Sequence, residues 1–195
     1  MNTLAKPRFT TRSITSIAVM AALSVVLVAL IHIPMFLPFL EYDPADIPIF
    51  ITTFAFGPFV GFILTVIVAV LQGITVSASA GPIGIMMHIV ATGVFVIVAG
   101  NIYKRNKTRK NAAVALAVGV VAWTAVMVVW NIIVTPLYMG VPREQVIELV
   151  VPAILPFNLI KAGINSVLTF ALYKTVGRLF GLKEAKSVRE CPAEK

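Results

Sequence analysis

Long apolar runs, broken only by short polar or Gly- and Pro-bearing turns, dominate this chain. They lie at about 13–33, 45–56, 59–76, 83–103, 112–134 and 153–177. A helical bilayer crossing takes about 20 apolar residues, so 195 residues hold some six of them. The chain is 59% hydrophobic and 12% charged, against about 25% charged in soluble domains. So little polar surface cannot cover a core in water. An ordinary soluble enzyme, a nucleic-acid module and a disordered chain are all excluded. The pattern predicts an all-α integral membrane protein, multi-pass and built as a six-transmembrane-helix bundle.

The charges set the topology. Sixteen Lys and Arg against eight Asp and Glu give +8. The basic residues flank apolar runs: Lys6, Arg8 and Arg12; Lys104, Arg105, Lys107, Arg109 and Lys110; Lys174, Arg178, Lys183, Lys186 and Arg189. Cytoplasmic loops carry such clusters, so the surplus reports orientation and not nucleic-acid binding. Twelve residues at 45–56 reach only about 18 Å, short of a hydrocarbon core of about 30 Å. Treating 45–76 as one broken span, however, would put the five-positive loop outside. Six crossings with an inner turn at Gly57-Pro58 place both termini in the cytoplasm. The first run is too long for a signal-peptide core and has no small-residue cleavage site, so it reads as a retained helix. Cys191 lies in the polar tail and has no partner for an internal disulfide.

Chemistry-bearing residues are few. There is no Gly-Lys pair, hence no Walker A loop. There is no His-Glu-x-x-His, and His32 and His88 are too far apart in the chain to suggest a metal site. No acidic residue falls mid-span, where an ion-coupled carrier usually needs one. Gly and Pro gather on the outer side, from Pro34 to Pro156. Irregular backbone at membrane depth is tolerated only where protein or a cavity buries it, so the outer half is the expected binding end.

The last span reads Pro156-Phe157-Asn158-Leu159-Ile160-Lys161-Ala162-Gly163-Ile164-Asn165-Ser166. Asn158, Lys161 and Asn165 share one helical face. A lysine there is costly unless paired or hydrated, which makes the stripe a binding candidate; snorkelling and helix bridging are the alternative. Asn131, beside Trp130, offers an amide suited to a ring amide or imide. Gln72 is a further polar candidate, for ligand contact or helix bridging. In the first span Ala18 and Ala22 stand four apart, a spacing that lets another helix approach closely or serves internal packing.

Leu40-Glu41-Tyr42-Asp43-Pro44-Ala45-Asp46-Ile47-Pro48, followed by Phe54-Ala55-Phe56-Gly57-Pro58, resembles the loop and second helix of substrate-binding S components of energy-coupling factor (ECF) vitamin transporters. The Pro156–Ser166 stretch is similar to the last helix of the riboflavin-specific members, with Ala162 where glycine is more usual. The resemblance covers about 13–178. It implies a substrate-binding membrane domain at 13–178, between a basic cytoplasmic N-terminus (1–12) and a polar cytoplasmic tail (179–195). It further implies capture of riboflavin from outside, and association with a transmembrane coupling subunit and two ATPase subunits in a bacterial plasma membrane. By motif, Asn131, Asn158 and Lys161 correspond to the riboflavin-binding residues, with Asn165 following on the same face. Ala18 and Ala22 correspond to the coupling-subunit contact. No catalytic residue, cofactor or metal is implied; riboflavin is cargo.

Amides and one cation among apolar side chains suit riboflavin's flat ring, imide edge and neutral polyhydroxyl chain. A thiamine site should contain a carboxylate and an aromatic cage, and a doubly anionic ligand should need more than one cation. An S component for pantothenate, held through Lys161, and a stand-alone membrane carrier remain open. The expected pocket lies between the fifth and sixth spans and the 34–45 loop.

Overall fold

In a computed structural model, which describes residues 11–78 and 81–179, the chain forms seven α-helices and one β-hairpin. The sequence-defined N-terminus (1–12) and tail (179–195) lie almost wholly outside the described residues.

Helix α1 (Thr11–Leu30) buries Ser16, Met20, Ser24 and Val28, one residue per turn. Ile14, Val19, Leu23 and Val26 on its other faces are exposed. Apolar side chains turned outward also mark the later helices, among them Val121, Val129, Val167 and Phe170. A surface of this kind is stable against lipid and not against water.

The chain then makes an antiparallel hairpin, β1 (Ile33–Met35) and β2 (Leu37–Tyr42), pairing Ile33 with Tyr42 and Pro34 with Glu41. The register shifts after Pro34, and Phe36 turns the corner at φ 61°. The 34–45 segment, read as a loop, is largely this hairpin, while the other described elements are all helices and keep the all-α class. Proline suppresses a strand signal, yet Pro34 sits on a free-edged two-stranded ribbon, where a missing amide hydrogen is tolerated.

Helix α2 (Asp46–Phe56) is buried along nearly its whole length, from Asp46 through Phe54. A helix apolar on all sides belongs inside a bundle. Its eleven residues need not match the bilayer, because neighbouring helices surround them. Gly57, at φ 98°, ends it, and Pro58 starts α3 (Pro58–Ile74) at a position where its missing amide hydrogen costs nothing. The chain reverses at this point: Gly61 lies so close to Thr53 and Val96 that any Cβ there would overlap both.

Helices α4 (Gly81–Arg105) and α5 (Arg109–Met139) follow, the second capped by Thr108, whose side chain accepts the Asn111 amide hydrogen. The 135–150 segment, expected as a loop, is largely helical. α5 continues through Pro136 to a left-handed Gly140, and α6 (Arg143–Leu149) runs into a π-helical turn at Val150–Ile154. Pro152 and Pro156 lack amide hydrogens, so the carbonyls of Glu148 and Pro152 lose their α-helical partners. The ladder widens, and the Leu155 amide reaches the Val150 carbonyl. Helix α7 (Leu155–Leu179) completes the bundle.

Two aromatic clusters fill the core. Phe50 and Phe95 stack at 3.8 Å with Trp123 edge-on to both. Phe54 and Tyr103 stack at 4.3 Å with Tyr173 edge-on. By length and composition α1, α4, α5 and the continuous Arg143–Val176 stretch can each cross a membrane; α2 and α3 are shorter apolar helices. The molecule is a multi-pass, mostly helical membrane protein.

Candidate functional site

A cavity, partly open to solvent, lies beneath the hairpin. The hairpin contributes Leu40 and Glu41, α7 contributes Phe157, Asn158 and Lys161, and α5 contributes Trp123 and Met127. The wall extends further than the expected pocket. Gln72 and Gly73 of α3, and Ile85, His88 and Ala91 of α4, also line it. The expectation of a site between the last two long helices and the 34–45 segment is widened accordingly. The two additional helices pack against the same core cluster that Trp123 and Met127 join.

Asn158 stands in the first turn of α7, directly after the π-helical turn. Its Nδ2 donates to the Ile154 carbonyl at 2.8 Å, and its Oδ1 accepts from Trp123 Nε1 at 3.0 Å. One amide hydrogen and one lone pair remain for a ligand. The indole and the π turn together fix the orientation of the amide. Short π segments often accompany functional positions in helices.

Lys161, one turn on, donates to Asp43 Oδ2 at 2.8 Å and to the Glu41 carbonyl at 3.1 Å. Asp43 is itself held by its chain: its Oδ1 accepts the Ala45 amide at 3.1 Å, which turns the backbone into α2. Burial acts to raise the Asp43 carboxyl, but the Lys161 ammonium, with His88 and the two hydrogen bonds, brings it below its ordinary value. Burial, aided by the Asp43 charge, pushes the Tyr42 phenol up, so it stays protonated and donates to Asn165 Oδ1 at 3.1 Å.

Asn165 is placed behind the cavity and does not line it. Its Nδ2 donates to the Asp43 carbonyl and to Asp46 Oδ2, each at 3.2 Å. It thereby fastens the end of the hairpin and the start of α2 to α7. Asp46, fully buried, also accepts from Thr92 Oγ1 at 2.8 Å. Asn131 lies one turn beyond Met127, outside the lining. Its Nδ2 donates to the Met127 carbonyl at 2.8 Å, and its Oδ1 accepts from Thr135 at 2.9 Å. The structure therefore brings Asn158 and Lys161 together at the cavity, sets Asn165 behind them and leaves Asn131 apart.

Sequence reasoning gave Asp43 and Asp46 no place in the site and missed them as partners of the lysine stripe. The available signal was the rule that a membrane-embedded cation is paired, joined to two carboxylates three residues apart. Ala18 and Ala22 are exposed on the outward face of α1 and make no part of the core. Among the described residues no cluster of three His, Cys, Asp or Glu side chains could hold a metal ion.

The sequence profile of the ECF transporter substrate-specific component family matches residues 12–173. Riboflavin transporter RibU of Staphylococcus aureus (strain TCH60) is 26% identical over 166 residues, spanning 82% of this chain and 87% of its own. Riboflavin transporter FmnP of Bacillus subtilis (strain 168) is 31% identical over 142 residues, 69% of this chain and 74% of its own. A solved structure of the S component of a bacterial ECF transporter superposes with a TM-score of 0.74 at 27% identity, covering 88% of this chain and 98% of that one.

Proposed function

This chain belongs to the family of ECF transporter substrate-specific components, and on that premise we propose that it captures riboflavin for uptake driven by ATP hydrolysis in partner subunits. It is a transport protein and not an enzyme. The observation that carries the substrate assignment is the pairing of Asn158 and Lys161 on the wall of one largely apolar cavity. The free donor and acceptor of Asn158 suit the imide edge of the flavin ring. Trp123, Phe157, Leu40 and Met127 suit its flat apolar faces. The Lys161 charge is already met by Asp43 at 2.8 Å, which favours a neutral ligand over a carboxylate such as pantothenate.

In this reading Asn158 and Lys161 contact the ligand. Asn165 holds the hairpin that covers it, and Asn131 is assigned to the ligand by motif alone, its amide being engaged by Met127 and Thr135. The bundle crosses a bacterial plasma membrane six times, with 1–12 and 179–195 in the cytoplasm. The fold-back at Gly57-Pro58 and the Lys104–Lys110 basic loop support that count. The outward exposure of Ala18 and Ala22 supports docking of α1 on a transmembrane coupling subunit, which joins two ATPase subunits.

Uptake assays test the division of labour. Riboflavin accumulation should require the coupling and ATPase subunits, and Asn158→Ala and Lys161→Ala should each weaken riboflavin binding about tenfold or more, the loss of one buried polar contact. Ion-gradient-driven accumulation by the chain alone in liposomes would instead identify a stand-alone carrier.

A further inference from the structure

Two buried polar atoms on the cavity wall make no hydrogen bond. Gln72 of α3 is 5% exposed, and its Nε2 makes no hydrogen bond. His88 of α4 keeps 13% of its side chain exposed, but its Nε2 is buried and makes no hydrogen bond either. The approach of His88 Nε2 to Asp46 Oδ1, at 3.6 Å, is too long for a hydrogen bond, and that oxygen already accepts from Thr92. Buried polar groups are almost always satisfied, so each exception asks for a reason. The helices that carry them press together at this point. Gly73, next to Gln72, lies so close to Ile85 that a Cβ would overlap it, and Ile85 stands one turn before His88. Both line the cavity that holds Asn158 and Lys161.

We propose that Gln72 and His88 form a second polar subsite of this cavity, which binds the hydroxylated chain of the ligand and sets its specificity for that chain. The inference rests on the riboflavin reading above. A hydroxyl both donates and accepts, so it satisfies an amide N–H and an imidazole nitrogen with or without its hydrogen. An anionic group in the same place would lie beside Asp46 and near Asp43, so the subsite suits a neutral chain. The ring of the ligand then meets Asn158, and its hydroxylated chain reaches the seam between α3 and α4.

The test compares riboflavin with lumiflavin, which keeps the ring and replaces the hydroxylated chain by a methyl group. Dissociation constants are measured by flavin fluorescence quenching on the purified full chain and on Gln72→Leu, Gln72→Met and His88→Leu. The wild type should prefer riboflavin by about tenfold or more, the scale of one hydrogen-bonded contact. The variants should lose most of that preference through weaker riboflavin binding, with lumiflavin affinity within about twofold of wild type. Unchanged riboflavin affinity in all three variants overturns the proposal. So does an equal loss of both flavins in Gln72→Leu and the shape-preserving Gln72→Met, which is the signature of packing. A wild-type protein that binds both flavins equally also overturns it. Wild-type protein that binds neither flavin overturns the riboflavin reading itself, and this subsite with it.

Discussion

Lys161 is tolerable at its depth because Asp43 and the Glu41 carbonyl meet it. Breaking a buried pair from one side leaves the other charge uncompensated, at about 3–5 kcal/mol. Asp43→Ala should therefore lower stability by roughly 3 kcal/mol. Removal of the half-exposed Glu41 side chain, whose partner is His32, should cost under about 1 kcal/mol. Thermal unfolding in detergent separates the two. The Asp43 carboxyl titrates below its ordinary value in the folded protein, so its contribution is fully present above the ordinary carboxylate range. It is lost as pH falls through the lowered folded value. Melting temperature should thus fall on the acid side of that range, and Asp43→Asn should flatten the acid limb. An unchanged acid limb would show that the pair does not couple to folding. Asn158, Lys161 and Asn165 were legible in the sequence, since helical spacing alone sets them on one face. Their partners were not: Asp43 and Lys161 stand 118 residues apart, and only the folded hairpin brings them together.

At the scale of elements, the long helices declared themselves through uninterrupted apolar runs; α4 and α5 run a few residues longer than the expected spans, and α1 ends a few residues earlier. The hairpin and the α6–π segment did not. Pro34 and Pro38 mask the strand signal, and Pro142, Pro152 and Pro156 mask helix between Gly140 and Leu155. Proline reports a local hydrogen-bonding constraint, which an edge strand, a helix start or a π turn can each absorb. The fold-back of α2 on α3 depends on the missing side chain of Gly61, since any Cβ there meets Thr53 and Val96. Gly61→Leu should destabilise the protein by about 1–3 kcal/mol through overpacking, read as a lower melting temperature. Thr53→Ala should recover part of that loss, and a Gly61→Leu protein as stable as wild type would mean that α2 and α3 are not pressed together there.

The proposed account gives the molecule two functional faces, a cavity under the hairpin and an outward small-residue face on α1. Apolar composition and basic flanks made the membrane assignment legible from the sequence. The division between the two faces was not, because the Ala18/Ala22 spacing suits internal packing equally well. Exposure of both alanines removes the internal-packing reading and leaves lipid or a partner helix to cover them. Ala18→Trp should leave riboflavin affinity unchanged and abolish uptake by the assembled transporter; uptake at wild-type level with the complex intact would remove α1 as the docking face. The central claim, that this cavity holds riboflavin, is tested most directly by absorption and emission spectra of detergent-purified protein from riboflavin-supplied cells. The account predicts a yellow preparation whose flavin is released on denaturation and is absent from Asn158→Ala and Lys161→Ala. A colourless protein that leaves the fluorescence of added riboflavin unquenched would contradict it.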